Sequence, residues 1–184
     1  MGCSGGFVKD SDKQPKKPCE PIKQIQVMKI VNYKIERVKE NNKEALERHN
    51  YYRKKHKVNE LKLSEDLCRK AEKRIKDLID NNTDYDEDDN DMGENLFIGS
   101  ERKFDISDVC ASWYNEKKNY DFKNDKCQSG TGHFTQMIWK ETEEVGFGYS
   151  KLKDGKFYFL ALYSPAGNEL FRFKENVINC ENNK

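Results

Sequence analysis

The 184-residue chain lacks several features that would sort it quickly. No apolar stretch approaches the ~18 residues that a membrane-spanning helix requires. The opening residues carry Lys9, Lys13, Lys16 and Lys17 but no apolar segment of the kind a secretory signal needs. Neither sign of charge dominates. Lys and Arg number 34 against 33 Asp and Glu, a formal +1, and a bulk nucleic-acid binder needs a net basic surface. Histidine is scarce, with only His49, His56 and His133. The six cysteines (Cys3, Cys19, Cys68, Cys110, Cys127, Cys180) show no C-x-x-C pair and fit no zinc motif. Without export they read most simply as reduced thiols, although an even number permits disulfides. Hydrophobic residues make up only 35%, so polar tails or solvated faces must dilute the core. Aromatics at 11% argue against wholesale disorder.

What is present divides the chain into stretches of different character. Residues 1–21, with Gly2, Gly5, Gly6, Pro15, Pro18 and Pro21, have too little apolar surface to offset the entropy of ordering and read as a tail. In residues 22–42, Met28, Val31, Ile35 and Val38 fit helical spacing, while Ile25, Val27, Val31, Tyr33 and Ile35 fit alternation almost as well. That segment reads as an extra helix or a strand. A helix is expected from Lys43 to His56. Ser64 then reads as the cap of another, whose stripe is Leu67, Cys68, Ala71, Ile75, Leu78 and Ile79 and which Asn81-Asn82 ends. An acidic loop follows from Asp84 to Asp91. It lacks the sixth-position glycine and twelfth-position glutamate of a calcium loop and reads as a solvated charge run.

Further on, a helix is expected to open near Asp105 and bury Ile106, Val109, Cys110, Trp113 and Tyr114. A short one is expected at Phe134–Trp139, with Phe134, Met137 and Trp139 in the core. In Val145–Tyr149 the bulky residues alternate with Gly146 and Gly148. The result is a strand with one bare face that lets a helix backbone approach closely. Phe157–Tyr163 is nearly continuous in apolar residues, as in a strand covered on both faces. Ser164–Gly167 has turn chemistry, and Phe171 and Phe173 read as the start of another strand. The sum is an α+β domain over residues 43–178, with a short, mainly antiparallel sheet between helical layers, and a C-terminal tail over 179–184.

Four segments stand in a characteristic order: His49-Asn50-Tyr51-Tyr52-Arg53, Gly93-Glu94-Asn95-Leu96, Trp113-Tyr114-Asn115-Glu116, and Gly132-His133-Phe134-Thr135-Gln136-Met137-Ile138-Trp139. Together they resemble the CAP superfamily (cysteine-rich secretory proteins, antigen 5, pathogenesis-related proteins). The stretch from His49 to Leu63 and the ending Tyr163-Ser164-Pro165-Ala166-Gly167-Asn168 are most similar to its Golgi-associated, intracellular branch. The resemblance implies an α-β-α sandwich. It also implies a cleft with two His and two Glu, of which Glu94, Glu116 and His133 match three, while Thr83 stands at the position of the missing His. One imidazole with two carboxylates is a poor zinc set, so no cofactor is required and a weakly held divalent cation is the most the site is expected to take.

For function, the resemblance implies a non-enzymatic protein that lies on the cytoplasmic face of intracellular, Golgi-like membranes or in the cytosol and binds lipid (a sterol, fatty acid or anionic phospholipid) or a protein partner, with a homodimer also open. Tyr120 and Phe122 match the region implicated in sterol binding; the bland alternative is that their rings cap the core. Gly2 is an expected myristoylation site and Cys3 a palmitoylation site, since two acyl chains anchor stably where one is marginal. Gly6, where the consensus has Ser or Thr, departs from it. Two other readings stay open: a metal-dependent hydrolase using the cleft residues, and a secreted, disulfide-bonded effector of the venom-allergen kind, exported unconventionally. A serine hydrolase is disfavoured because residues 43–178 contain no G-x-S-x-G elbow. Cys127, six residues before His133, reads as a loop cysteine.

Overall fold

The computed structural model describes residues 21–81, 92–100, 105–124 and 126–179; for residues 21–37 and for Asn81 it describes the backbone alone. Residues 1–20 of the expected N-terminal tail, residues 180–184 of the C-terminal one, the acidic loop and Thr83 lie outside the described residues, and with them Gly2, Cys3, Cys19 and Cys180. The chain divides into two units, Met1–Glu36 and Arg37–Lys184. Of the first, the description covers helical backbone from Pro21 onward.

Helix α1 runs Pro21–Lys55, so the segment that reads equally as helix or strand is helical and continuous with the helix expected from Lys43. Then come β1 (Lys62–Leu63), α2 (Glu65–Asn81), β2 (Gly93–Ser100), α3 (Ile106–Asn115), a 3-10 turn (Glu116–Asn119), α4 (Gly132–Met137), β3 (Glu144–Lys151), β4 (Lys156–Ser164) and α5 (Phe173–Asn176). Asp105 opens α3 through a reciprocal capping box with Asp108. Glu65 and Asp66 sit in the first turn of α2, where carboxylates complement the helix dipole.

The four strands stand in the order β1-β3-β4-β2. β1 is parallel to β3; β3 and β2 are both antiparallel to β4. Side chains of a strand alternate between faces, and β4 shows what each face meets. Phe157, Phe159, Ala161 and Tyr163 pack with Ala45 of α1, Trp113 of α3, and Phe134 and Met137 of α4. Tyr158, Leu160 and Leu162 pack with Leu67, Ala71, Ile75 and Leu78 of α2. This is the expected α-β-α layering, and β4 is covered on both faces.

The two glycines of β3 set the distance to α2. A Cβ on Gly146 would lie 2.2 Å from the backbone of Leu67, and one on Gly148 would lie 2.7 Å from that of Ala71. Only a bare face admits a helix so close.

One element differs from expectation. The strand foreseen at Phe171–Phe173 is a turn followed by the short helix α5. Phe171 adopts φ +66, which no strand contains, and Phe173 turns inward, 1% exposed, edge-on to Trp139.

Candidate functional site

The G-H-F-T-Q segment forms α4, whose first turn presents backbone N–H groups with no partners inside the helix. Glu116, at the end of α3, supplies the acceptor. Its Oε2 receives the N–H of His133 at 3.0 Å and of Phe134 at 3.1 Å, and its Oε1 receives Nδ1–H of His133 at 2.6 Å. One carboxylate therefore caps the helix and orients the imidazole. The indole of Trp113 stacks on a face of that imidazole, centroids 5.7 Å apart and planes 17° from parallel. From the sheet, Asn95 Nδ2 donates to the His133 carbonyl and to Tyr163 Oη, each at 3.1 Å.

Glu94 does not join this group. It neighbours Asn95 on β2 and so projects to the other face of the strand. There its Oε2 receives Nε–H of Arg74 from α2 at 3.3 Å. The three residues that the resemblance collects in one cleft are thus divided: His133 with Glu116, Glu94 with Arg74. Among the described residues no group of three or more His, Cys, Asp or Glu stands ready to hold a metal ion. Both oxygens of Glu116 are engaged by hydrogen bonds, and Glu94 faces a guanidinium. This donor set does not fit a tightly held zinc ion.

Arg74 is what sequence reasoning missed. It was legible as a charged residue inside the apolar stripe of α2, three residues after Ala71 and four before Leu78. A buried guanidinium at such a place requires an acidic partner, and Arg74 is 7% exposed.

The His49–Arg53 motif lies wholly inside the protein. His49 is fully buried, with Nδ1 2.7 Å from Ala45 O and Nε2 2.8 Å from Tyr163 Oη. Burial lowers its pKa from 6.5 to about 4; the carbonyl of Ala45 opposes that shift and nearby Arg53 reinforces it. Asn50 exchanges two hydrogen bonds with the backbone of Leu61, 3.1 and 2.8 Å. Arg53, also fully buried, donates to the carbonyls of Asn59, Met137, Trp139 and Thr142 at 2.6–3.1 Å. Burial lowers its pKa to about 10, so it remains a cation at neutral pH. His56 sits 2.5 Å from Ile178 O, and burial again lowers its pKa. The motif is a set of clamps rather than a catalytic group.

Tyr120 and Phe122 touch edge-on, centroids 4.9 Å apart, and both pack edge-on against Phe134 at 5.7 and 6.2 Å. Tyr120 is 8% exposed. Their rings close the aromatic core beside α4. Cys127 is exposed, whereas Cys68 and Cys110 are buried; all three are free thiols, and burial raises the pKa of both buried ones.

Fold and motif positions together define a CAP-type α-β-α sandwich. The solved structure of Schistosoma mansoni venom allergen-like protein 4 superposes with a TM-score of 0.58 over 71% of this chain and 96% of its own, at 23% identity. A structure of NaASP2 with Zn2+ does so at 0.58 over 71% and 82%, at 22% identity. At that identity the likeness concerns the fold alone. The model of the cysteine-rich secretory protein (CAP) family matches residues 46–163. The human Golgi-associated plant pathogenesis-related protein 1 is 39% identical over 142 residues, covering 73% of this chain and 90% of that protein. Salivary antigen-5 of Dipetalogaster maximus is 34% identical over 110 residues, 52% of this chain and 44% of the relative. The chain belongs to the CAP family.

Proposed function

We propose that this CAP-domain protein is non-enzymatic, associates with the cytoplasmic face of intracellular membranes, and recognises lipid or a protein partner. The observation that carries the reading is its likeness to a Golgi-associated protein over nine-tenths of that protein's length. The geometry of the cleft supports it: Glu116 is committed to capping α4 and holding His133, and Glu94 to Arg74. Both oxygens of Glu116 and one of Glu94 are thus taken up by structural partners. Attachment rests on the sequence Met1-Gly2-Cys3, with myristate on Gly2 and palmitate on Cys3. Among the described residues no helix is long and apolar enough to cross a membrane. The test is the distribution of Gly2→Ala between membrane and cytosol in fractionated cells. The variant is expected in the cytosol; an unchanged membrane pool overturns acyl anchoring.

A further inference from the structure

At the C-terminal end of α1, three tyrosine rings gather around one ammonium. Lys55 Nζ stands 4.4 Å from the ring centroid of Tyr51, 5.7 Å from that of Tyr52 and 5.9 Å from that of Tyr114. The contact with Tyr51 is ordinary, since residues four apart are neighbours on a helix surface. The third ring is not. Tyr114 arrives from α3 and stacks on Tyr52, centroids 4.0 Å apart and planes 14° from parallel. Tyr51 stands edge-on to Tyr52 at 5.2 Å, so the cluster presents rings in two orientations. Behind it, Nε2 of the buried His56 lies 3.1 Å from the Tyr114 hydroxyl and fixes that ring.

The rings are thus arranged to hold a cation, and the one they hold is loosely kept. Lys55 is exposed, as is Tyr51, while Tyr52 and Tyr114 are half-buried. The Tyr51 hydroxyl accepts a hydrogen bond from Lys55 and holds its pKa above the usual lysine value, so the group stays charged. An ammonium on a flexible stem remains strongly hydrated, and a cation over exposed rings gains little. A quaternary ammonium sheds its water more readily and lays methyl groups on the ring faces, which is why aromatic clusters recognise it.

We propose that Tyr51, Tyr52 and Tyr114 form a site for the trimethylammonium of a phosphocholine group, with Lys55 as its built-in placeholder. The tether selects this ligand. Lys55 can swing off the rings but cannot leave, so its charge stays within a side chain's reach of whatever replaces it. Arg48 also acts on Tyr52, but it is tied through Ser107 to Glu44, at 2.6 and 2.8 Å. Lys55 is therefore the charge that the ligand must meet. A bare quaternary ammonium is repelled by it, whereas phosphocholine carries a phosphate beside its ammonium and takes the displaced lysine as a charge-assisted partner. The site stands whether or not the chain is acylated.

The test titrates the full chain with phosphocholine and, separately, with choline, reading the methyl proton signal of the ligand by NMR. A saturable upfield shift is expected, because protons over a ring face are shielded, with phosphocholine the tighter ligand. Tyr51→Ala is expected to weaken both about two- to fivefold. Lys55→Ala is expected to tighten choline by about the same factor and to shrink the preference for phosphocholine, since competitor and phosphate partner are removed together. A methyl signal that does not move with the wild-type chain, or that moves equally with Tyr51→Ala, overturns the site. A Lys55→Ala chain that keeps the full preference for phosphocholine overturns the role of the lysine. Phosphatidylcholine vesicles that reverse the shift, where phosphatidylglycerol vesicles do not, assign the group to a bilayer headgroup; failure of both to compete assigns it to the soluble compound. Unchanged thermal midpoints, expected because both substituted side chains are exposed, exclude misfolding as the cause.

Discussion

The two faces of the central sheet are held by different physics. Toward α2 the contact is aliphatic and close: Leu67, Ala71, Ile75 and Leu78 lie on Tyr158, Leu160 and Leu162, and the bare glycines of β3 let the backbones meet. Toward α1, α3 and α4 the contact is aromatic and hydrogen-bonded. Trp113, Phe147 and Phe159 stack there, and His49, Arg53, Asn95 and Tyr163 are buried among the rings with their polar atoms engaged. The first face tolerates no added volume; the second tolerates no lost partner. The family's motifs fall almost entirely on the second.

Gly146→Val challenges the close face most severely. Its first added carbon would already stand 2.2 Å from the Leu67 backbone, and backbone cannot yield as a side chain can. A loss of more than ~3 kcal/mol, or failure to fold, is expected in urea titrations; tolerance of valine would show that α2 can ride outward. Arg53→Met tests the polar face at nearly the same magnitude, since it strands the three buried carbonyls of Met137, Trp139 and Thr142 and the partly buried one of Asn59. A loss of about 3–4 kcal/mol is expected, with Arg53→Lys recovering little because an ammonium cannot span the fork.

Acid should also act on the polar face. His49 is held neutral by burial, its pKa lowered from 6.5 to about 4. Its contribution is complete above about pH 6.5 and falls away as pH drops toward 4, because the unfolded chain takes up the proton first. The full loss is about 3 kcal/mol, and His56 is shifted in the same direction. Urea midpoints measured from pH 7 to 4.5 should fall less steeply in His49→Gln; an identical slope would remove His49 from the account. The smallest effect is a gain outside both faces. Phe171→Gly relieves a positive φ and forfeits almost no burial, so a stabilisation of about 1 kcal/mol is expected by thermal melting. No gain would mean that the turn carries little strain.

The close face was the easier to read from sequence. The alternation of Gly146 and Gly148 with bulky neighbours announced β3, and the i, i+4 stripe announced α2, because periodicity encodes apolar burial directly. β2 was recognised as a motif but not as a strand, for Gly93-Glu94-Asn95 carries little apolar signal and Asn95 is buried through hydrogen bonds. Periodicity does not count His49, Arg53 and Arg74 as core, yet all three are buried. The division of Glu94 from Glu116 was likewise invisible: the motif pattern gives residue types, whereas the face each side chain takes follows from pairing register. Phe171 and Phe173 misled because two aromatics at alternate positions look like a strand; the backbone between them is governed by Arg172, which donates to Glu141, Glu169 and Glu175.

The carbonyls that receive the Arg53 guanidinium belong to residues 59, 137, 139 and 142, three of them more than eighty positions away. Until those distant stretches converge, the cation keeps its water and contributes nothing to holding the chain together. Its bonds are therefore expected to form after the rate-limiting barrier has been crossed. In stopped-flow chevrons, Arg53→Met should leave the refolding limb nearly in place and raise the unfolding limb, making this residue a latch on the finished molecule rather than a seed for it.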